Sequence, residues 1–179
     1  MKTKQAKSTN LSWFWGLLRL AMGWTFLWAF IDKLFGLGFA TCREAATNLV
    51  SVMCEKAWLL GGSPTTGFLK FAAQGPFVDF FNSLAGNPII DWLFMLGLLF
   101  AGATLFLGVL VKLGSYAGAL MFLLMYLALI GPENNPFLDD HIIYAIVLLG
   151  LAASGAGAYF GFGKKWQTLK LVRANKILE

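Results

Sequence analysis

The sequence predicts an all-α integral membrane protein, a four-helix bundle in a single membrane domain with a long outer segment containing short amphipathic helices. Three observations predict it. The chain is 58% hydrophobic and 13% charged, with a mean hydropathy of +0.69, whereas soluble domains are about half apolar and a quarter charged. Four apolar runs come near or exceed the roughly 20 helical residues that cross a hydrocarbon core of about 30 Å. The basic residues gather at alternate ends of those runs.

The first run, residues 11–31, follows Lys2, Lys4 and Lys7. It is longer than the 7–15 apolar residues of a signal peptide, so we expect a retained span. The outer segment, residues 36–87, is too long and too apolar for a linker. Residues 45–58 have helical spacing, with Ala45, Leu49, Val52, Met53 and Lys56 on one side, and Gly61-Gly62-Ser63-Pro64 breaks it. Two short helical stretches, residues 67–74 and 76–84, are split at Gly75-Pro76. In the second, Phe77, Phe80, Phe81 and Leu84 share a face, which suits the membrane interface or a cap over the bundle. Residues 89–111 and 114–130 are expected to form a hairpin of spans, with Lys112 in its turn. A short loop leads to the fourth span, residues 141–162, and to a basic tail, residues 163–179.

If four spans alternate, Lys2, Lys4, Lys7, Lys112, Lys164, Lys165, Lys170, Arg173 and Lys176 lie on one side and Lys33, Arg43, Lys56 and Lys70 on the other. That bias puts both termini in the cytoplasm, with the protein in the cell membrane. The tail then sits beside anionic lipid headgroups, and the net charge of +5 does not indicate nucleic acid. Trp13, Trp15 and Trp166 read as interfacial aromatics. The spacings Gly97-x-x-x-Ala101, Gly114-x-x-x-Gly118 and Gly157-x-x-x-Gly161 allow close helix approach, within the bundle or in a homo-oligomer.

Asn-Pro-apolar-apolar-Asp opens the second span (Asn87 to Asp91) and recurs before the fourth (Asn135 to Asp139). Asn caps free amides, Pro tolerates the first helical position, and Asp favours the positive end of the dipole. Punctuation of this kind accounts for Asn135, Pro136 and Asp139 but leaves Glu133, Asn134, Asp140 and His141 unexplained. With Asp32, Lys33 and Asp91 they form an outer rim that is either a proton-handling site or a ring of salt bridges. His141, the only histidine, reads equally as a proton donor or as an interfacial residue. Arg19, the one charge well inside a span, either snorkels partly towards the cytoplasmic headgroups or is buried and bound to backbone carbonyls or a ligand, and we expect a structural role. Cys42 and Cys54 fall on the oxidising side, and we expect a structural disulfide. An unbroken helix would hold their Cα atoms roughly 18 Å apart, so the bridge requires the chain to fold back. No haem, flavin, iron–sulfur or metal motif stands out.

Three stretches carry a resemblance: RLAMGWTFLWAFIDKLFG (residues 19–36, with Arg19, Gly23, Phe26, Ala29 and Lys33), GGSPTTGFLKF (61–71) and PENNPFLDDHIIYA (132–145). They resemble the DoxX/DoxD family of small bacterial and archaeal membrane proteins, towards its DoxD branch. The resemblance implies a four-helix bundle and a subunit of thiosulfate:quinone oxidoreductase. Such a subunit passes electrons from thiosulfate to membrane quinone and works with a small DoxA-type partner. Asp140, His141, Asn134, Glu133 and Lys33 would then face the quinone carbonyls, with Asp32 nearby and Trp28, Trp92 or Tyr144 against the ring. The alternative is a non-catalytic membrane scaffold or accessory subunit of a redox complex. A transporter ranks below both, because the spans carry few polar groups at mid-depth.

Overall fold

The structure is a computed structural model that describes residues 3–44, 46–131, 135 and 137–178, with side chains from Leu11 onward. Among the described residues there is no β-strand, and a single isolated bridge pairs Arg43 with Val50. The helices are α1 (Thr3–Phe35), α2 (Val78–Leu84), α3 (Pro88–Leu107), α4 (Val111–Ala128), α5 (Asp140–Ser154), α6 (Gly163–Trp166) and α7 (Lys170–Ala174). Among the described residues, three segments are long and apolar enough to cross a membrane: Leu11–Phe35, Pro88–Leu107 and Val111–Ala128.

Helix boundaries follow local chemistry. Asn87 accepts from the Ile89 amide at 2.9 Å with Pro88 in the first turn, so α3 starts where the sequence punctuates it. It stops at Leu107 because Gly108 turns left-handed (φ +77°), and α4 restarts at Val111. The turn therefore falls at residues 108–110, earlier than the ranges 89–111 and 114–130 place it, and Lys112 lies in the first turn of α4 rather than between the helices. The fourth run differs more. Gly155 (φ +66°) ends α5 at Ser154, so the helix rises only ~22 Å. The chain then continues through a short 3-10 turn, Ala156–Ala158, rather than as a helix to residue 162.

The outer segment departs furthest from expectation. Where the spacing predicts a helix over residues 45–58, the described residues 46–57 form no helix, and Trp58 opens a short 3-10 turn, Trp58–Leu60. Cys42, Asn48 and Met53 have φ of 66°, 57° and 58°, which no right-handed helix accommodates. The chain loops instead, with Ser51 N donating to Cys42 O and Glu44 N to Leu49 O. The apolar spacing that suggested a helix belongs to a loop with exposed Leu49, Val52 and Met53. Further on, a π-type turn (Phe68–Ala72) and α2 bury Leu69 and Phe81 against Ala128, so this part caps the end of α4. Gln74 N donates to Ala128 O there at 2.8 Å.

α1 packs along α3, α3 along α4, and α4 along α5, around a shared core that includes Met22, Phe26, Met95, Leu105 and Leu148. Close approach depends on missing side chains. A Cβ on Gly23 would lie 2.6 Å from the Phe106 amide nitrogen, and one on Gly118 would lie 2.7 Å from the Phe26 ring. Gly157 and Gly161 act differently from the helix-face spacing expected of them. They lie beyond α5, where the backbone meets the α3–α4 turn and Phe162 N donates to Leu107 O at 2.9 Å. Large apolar side chains also cover the outside: Phe14, Leu93, Leu120 and Ile146 are all exposed. A surface apolar on both faces of its helices is what a lipid environment accommodates.

Candidate functional site

The α4–α5 end of the molecule brings together the groups with the most chemical capacity. Asp139 is the N-cap of α5: its Oδ1 accepts from the amides of His141 (3.1 Å) and Ile142 (3.2 Å). Its other oxygen, Oδ2, lies 2.7 Å from His141 Nδ1. An N-cap side chain leans over the first turn, so a histidine two residues on falls within its reach. One carboxylate therefore both starts the helix and holds the imidazole. With Nδ1 committed to Asp139, Nε2 is the nitrogen left for proton exchange. The pair is partly accessible, with 19% of the His141 side chain and 15% of the Asp139 side chain exposed.

Aromatic rings flank this pair. Phe122 of α4 stands 5.9 Å from the imidazole and 5.2 Å from Tyr144, centroid to centroid. On its other side Phe122 meets Phe26 of α1 at 5.1 Å, which connects the pair to the core. Tyr126 Oη donates to Phe137 O at 2.9 Å and ties the loop before α5 to α4. Asp140 is exposed at the start of α5, so the imidazole's carboxylate partner is Asp139. Sequence reasoning assigned Asp139 to punctuation alone and missed Phe122. The Asp-x-His spacing at a helix start was the available signal. Glu133 and Asn134 lie outside the described residues, as does Pro136. Asn135 Oδ1 accepts from the amides of Phe137 and Leu138, so it caps a turn ahead of the helix rather than the helix itself.

The other rim residues have separate partners. Asp32, 1% exposed, accepts from the amides of Phe39 (3.1 Å) and Ala40 (2.9 Å), which fixes the turn that follows α1. Lys33 beside it is part-buried. Asp91, in the first turn of α3, accepts at Oδ1 from Thr65 Oγ1 (2.6 Å), Ser63 Oγ (2.9 Å) and the Thr65 amide (3.3 Å). It anchors the outer segment to α3 and borders a cavity of about 220 Å³. The aromatic candidates also separate. Trp28 packs on Trp24 and Phe39, Trp92 on Trp58, and Tyr144 on Phe122.

Arg19 is fully buried and takes backbone carbonyls as its partners. Nη1 donates to Phe106 O at 3.0 Å and to Leu105 O, and Nη2 donates to Tyr159 O and Phe160 O at 2.8 Å each. Leu105 and Phe106 lie in the last turn of α3, whose carbonyls have no helical partner. Tyr159 and Phe160 lie just past the break in the fourth run. The guanidinium thus satisfies irregular backbone where water is excluded. Cys42 and Cys54 form a disulfide with Cα atoms 5.7 Å apart, which the looped outer segment permits and a helix would not.

Among the described residues, no group of three or more His, Cys, Asp or Glu side chains is placed to hold a metal ion. Comparison of the chain with family models, curated proteins and solved structures gives no match.

Proposed function

We propose that the protein is a four-span subunit of a quinone-linked oxidoreductase in the cell membrane, with both termini cytoplasmic and the quinone bound at the outer end of α4 and α5. The Asp139–His141 pair beside Phe122 and Tyr144 carries the reading. Quinone reduction takes two electrons and two protons. It suits a lipid-accessible site with a proton donor near a carbonyl and an aromatic surface near the ring. His141 delivers one proton from Nε2 to a quinone oxygen, while Asp139 holds the imidazole through Nδ1. Water at the exposed rim supplies the second. The resemblance to the DoxD branch supports thiosulfate as the donor: two thiosulfates join through a new S–S bond as tetrathionate and release two electrons. A DoxA-type partner would contribute to that half-reaction.

The fourth crossing rests on the contacts of the chain after α5. Phe162 bonds to the end of α3, and Lys112 Nζ donates to Lys176 O at 2.7 Å. The broken run thereby joins the α4–α5 end to the α3–α4 turn.

Thiosulfate-dependent reduction of a soluble quinone analogue by the protein purified with its native partners tests the reading. We expect His141→Gln and Asp139→Asn to lower the rate by roughly 10²-fold or more. Asn retains the helix cap, so the second change removes the charge without removing α5. Asp140→Asn should stay near wild type. A rate indifferent to both His141 and Asp139 rejects the site. A scaffold role is the second reading, favoured by Arg19, Asp32 and Asp91 all being engaged in structural hydrogen bonds. It predicts normal activity in the His141 variant and loss of assembly in Gly118→Leu.

A further inference from the structure

A second site, independent of the quinone reading, lies at the start of α3. The cavity of about 220 Å³ there is lined by backbone and small residues around Asp91, Trp58 and Trp92. Asp91 is 6% exposed. All three of its hydrogen bonds fall on Oδ1, from Ser63 and Thr65, and among the described residues none falls on Oδ2. Oδ2 is therefore the acceptor left for a molecule in the cavity that Asp91 lines. None of the lining residues is Lys, Arg or His. The dipole of α3 offsets only about half an elementary charge at its N-terminus, so the cavity stays net negative. The two indoles meet edge to face at 4.7 Å between centroids, and Trp92 is 57% exposed. Indole faces attract cations more strongly than other aromatic rings do.

We infer that this cavity binds a small organic ammonium group, its N–H donating to Asp91 Oδ2 and its charge resting against Trp58 and Trp92. The volume is below the ~300 Å³ of the smallest drug-sized pockets, so the ligand is a headgroup-sized amine rather than a larger molecule. Ethanolammonium fits that chemistry, either as a free amine or as the headgroup of an aminophospholipid at the membrane surface.

The test uses the full-length protein in nanodiscs of phosphatidylglycerol, which carries no amine, titrated with ethanolamine at constant ionic strength by calorimetry. Saturable binding is expected, weakened about fivefold or more in Asp91→Asn and in Trp58→Leu. Asn at 91 can keep the bonds from Ser63 and Thr65, and Trp58→Leu leaves the carboxylate untouched, so an effect in both is not loss of fold. Melting temperatures of the variants check this directly. Repeating the titration in phosphatidylethanolamine nanodiscs identifies the source. Abolished binding of free ethanolamine means that the lipid headgroup occupies the cavity, and unchanged binding means a free amine. Absence of saturable binding to the wild type in phosphatidylglycerol nanodiscs overturns the inference, as does wild-type affinity in Asp91→Asn.

Discussion

Arg19 shows how one buried residue can tie together two stretches of backbone, although its Nε–H finds no partner among the described residues. A guanidinium buried in a span is costly unless its hydrogens find acceptors. Here the four Nη hydrogens have four backbone carbonyls, two from the end of α3 and two from the chain beyond α5. The same bonds relieve carbonyls that would otherwise stand unpaired, at about 1–3 kcal/mol each. We therefore expect Arg19→Met to lower stability by about 3 kcal/mol or more, read as a drop in melting temperature in detergent. Arg19→Lys should fall between, since one ammonium has three hydrogens for four acceptors. If Arg19→Met melts like wild type, the carbonyls have other donors and the residue is dispensable to the fold. The sequence made Arg19 conspicuous as the single charge deep in a span. Its partners were not legible, because Leu105, Phe106, Tyr159 and Phe160 contribute backbone atoms, and any residue type at those positions offers the same carbonyl.

Among elements, the helix ends were legible where a side chain makes the cap and obscure where backbone geometry does. Asn87 and Asp139 have capping chemistry that the sequence displays, although Asp139 also carries the histidine contact that its capping role concealed. Gly155 looked like one more small residue in an apolar run, yet its left-handed conformation is what ends α5. The outer loop misled for a related reason. Apolar residues three and four apart suggest a helix only while the backbone is free to adopt one, and the Cys42–Cys54 bridge together with three residues at positive φ rules it out. The bridge closes a loop of about a dozen residues, and such closures stabilise by about 3 kcal/mol. Reduction, or Cys42→Ser with Cys54→Ser, should therefore loosen this segment first. Hydrogen exchange should rise at residues 37–57 and leave α3 and α4 protected. Equal loss of protection in α3 and α4 would mean that the loop holds the helices together. Gly118→Leu is the complementary change on α4: its side chain would be driven into Phe26 and Leu148, and the helices should separate without disturbing the disulfide loop.

For the whole molecule, the distribution of charge and the path of the backbone both bear on the proposed four-crossing topology. Lysines and arginines cluster at the start of the chain (Lys2, Lys4 and Lys7), at Lys112 in the first turn of α4 and after α5, ends that the proposed topology places in the cytoplasm. Three segments are long enough to cross by themselves, and three crossings would leave the tail opposite the N-terminus. α5 is too short alone, but the chain beyond it continues to the α3–α4 turn, where Arg19 and Lys112 hold the backbone at Phe160 and Lys176. The proposed fourth crossing would be a broken one, its irregular backbone supplied with donors from Arg19 of α1. Reporter fusions to the C-terminus in a bacterial host decide the count. We expect a fluorescent protein that matures only in the cytoplasm to be bright there, and a phosphatase that folds only outside to be inactive. The opposite pattern, together with a cytoplasmic N-terminus, would mean an odd number of crossings. It would also place the Lys112–Lys176 contact and the Arg19 bonds to the chain after α5 on opposite sides of the bilayer from where α3 and α4 require them, so the packing of the basic tail would fall with the fourth span.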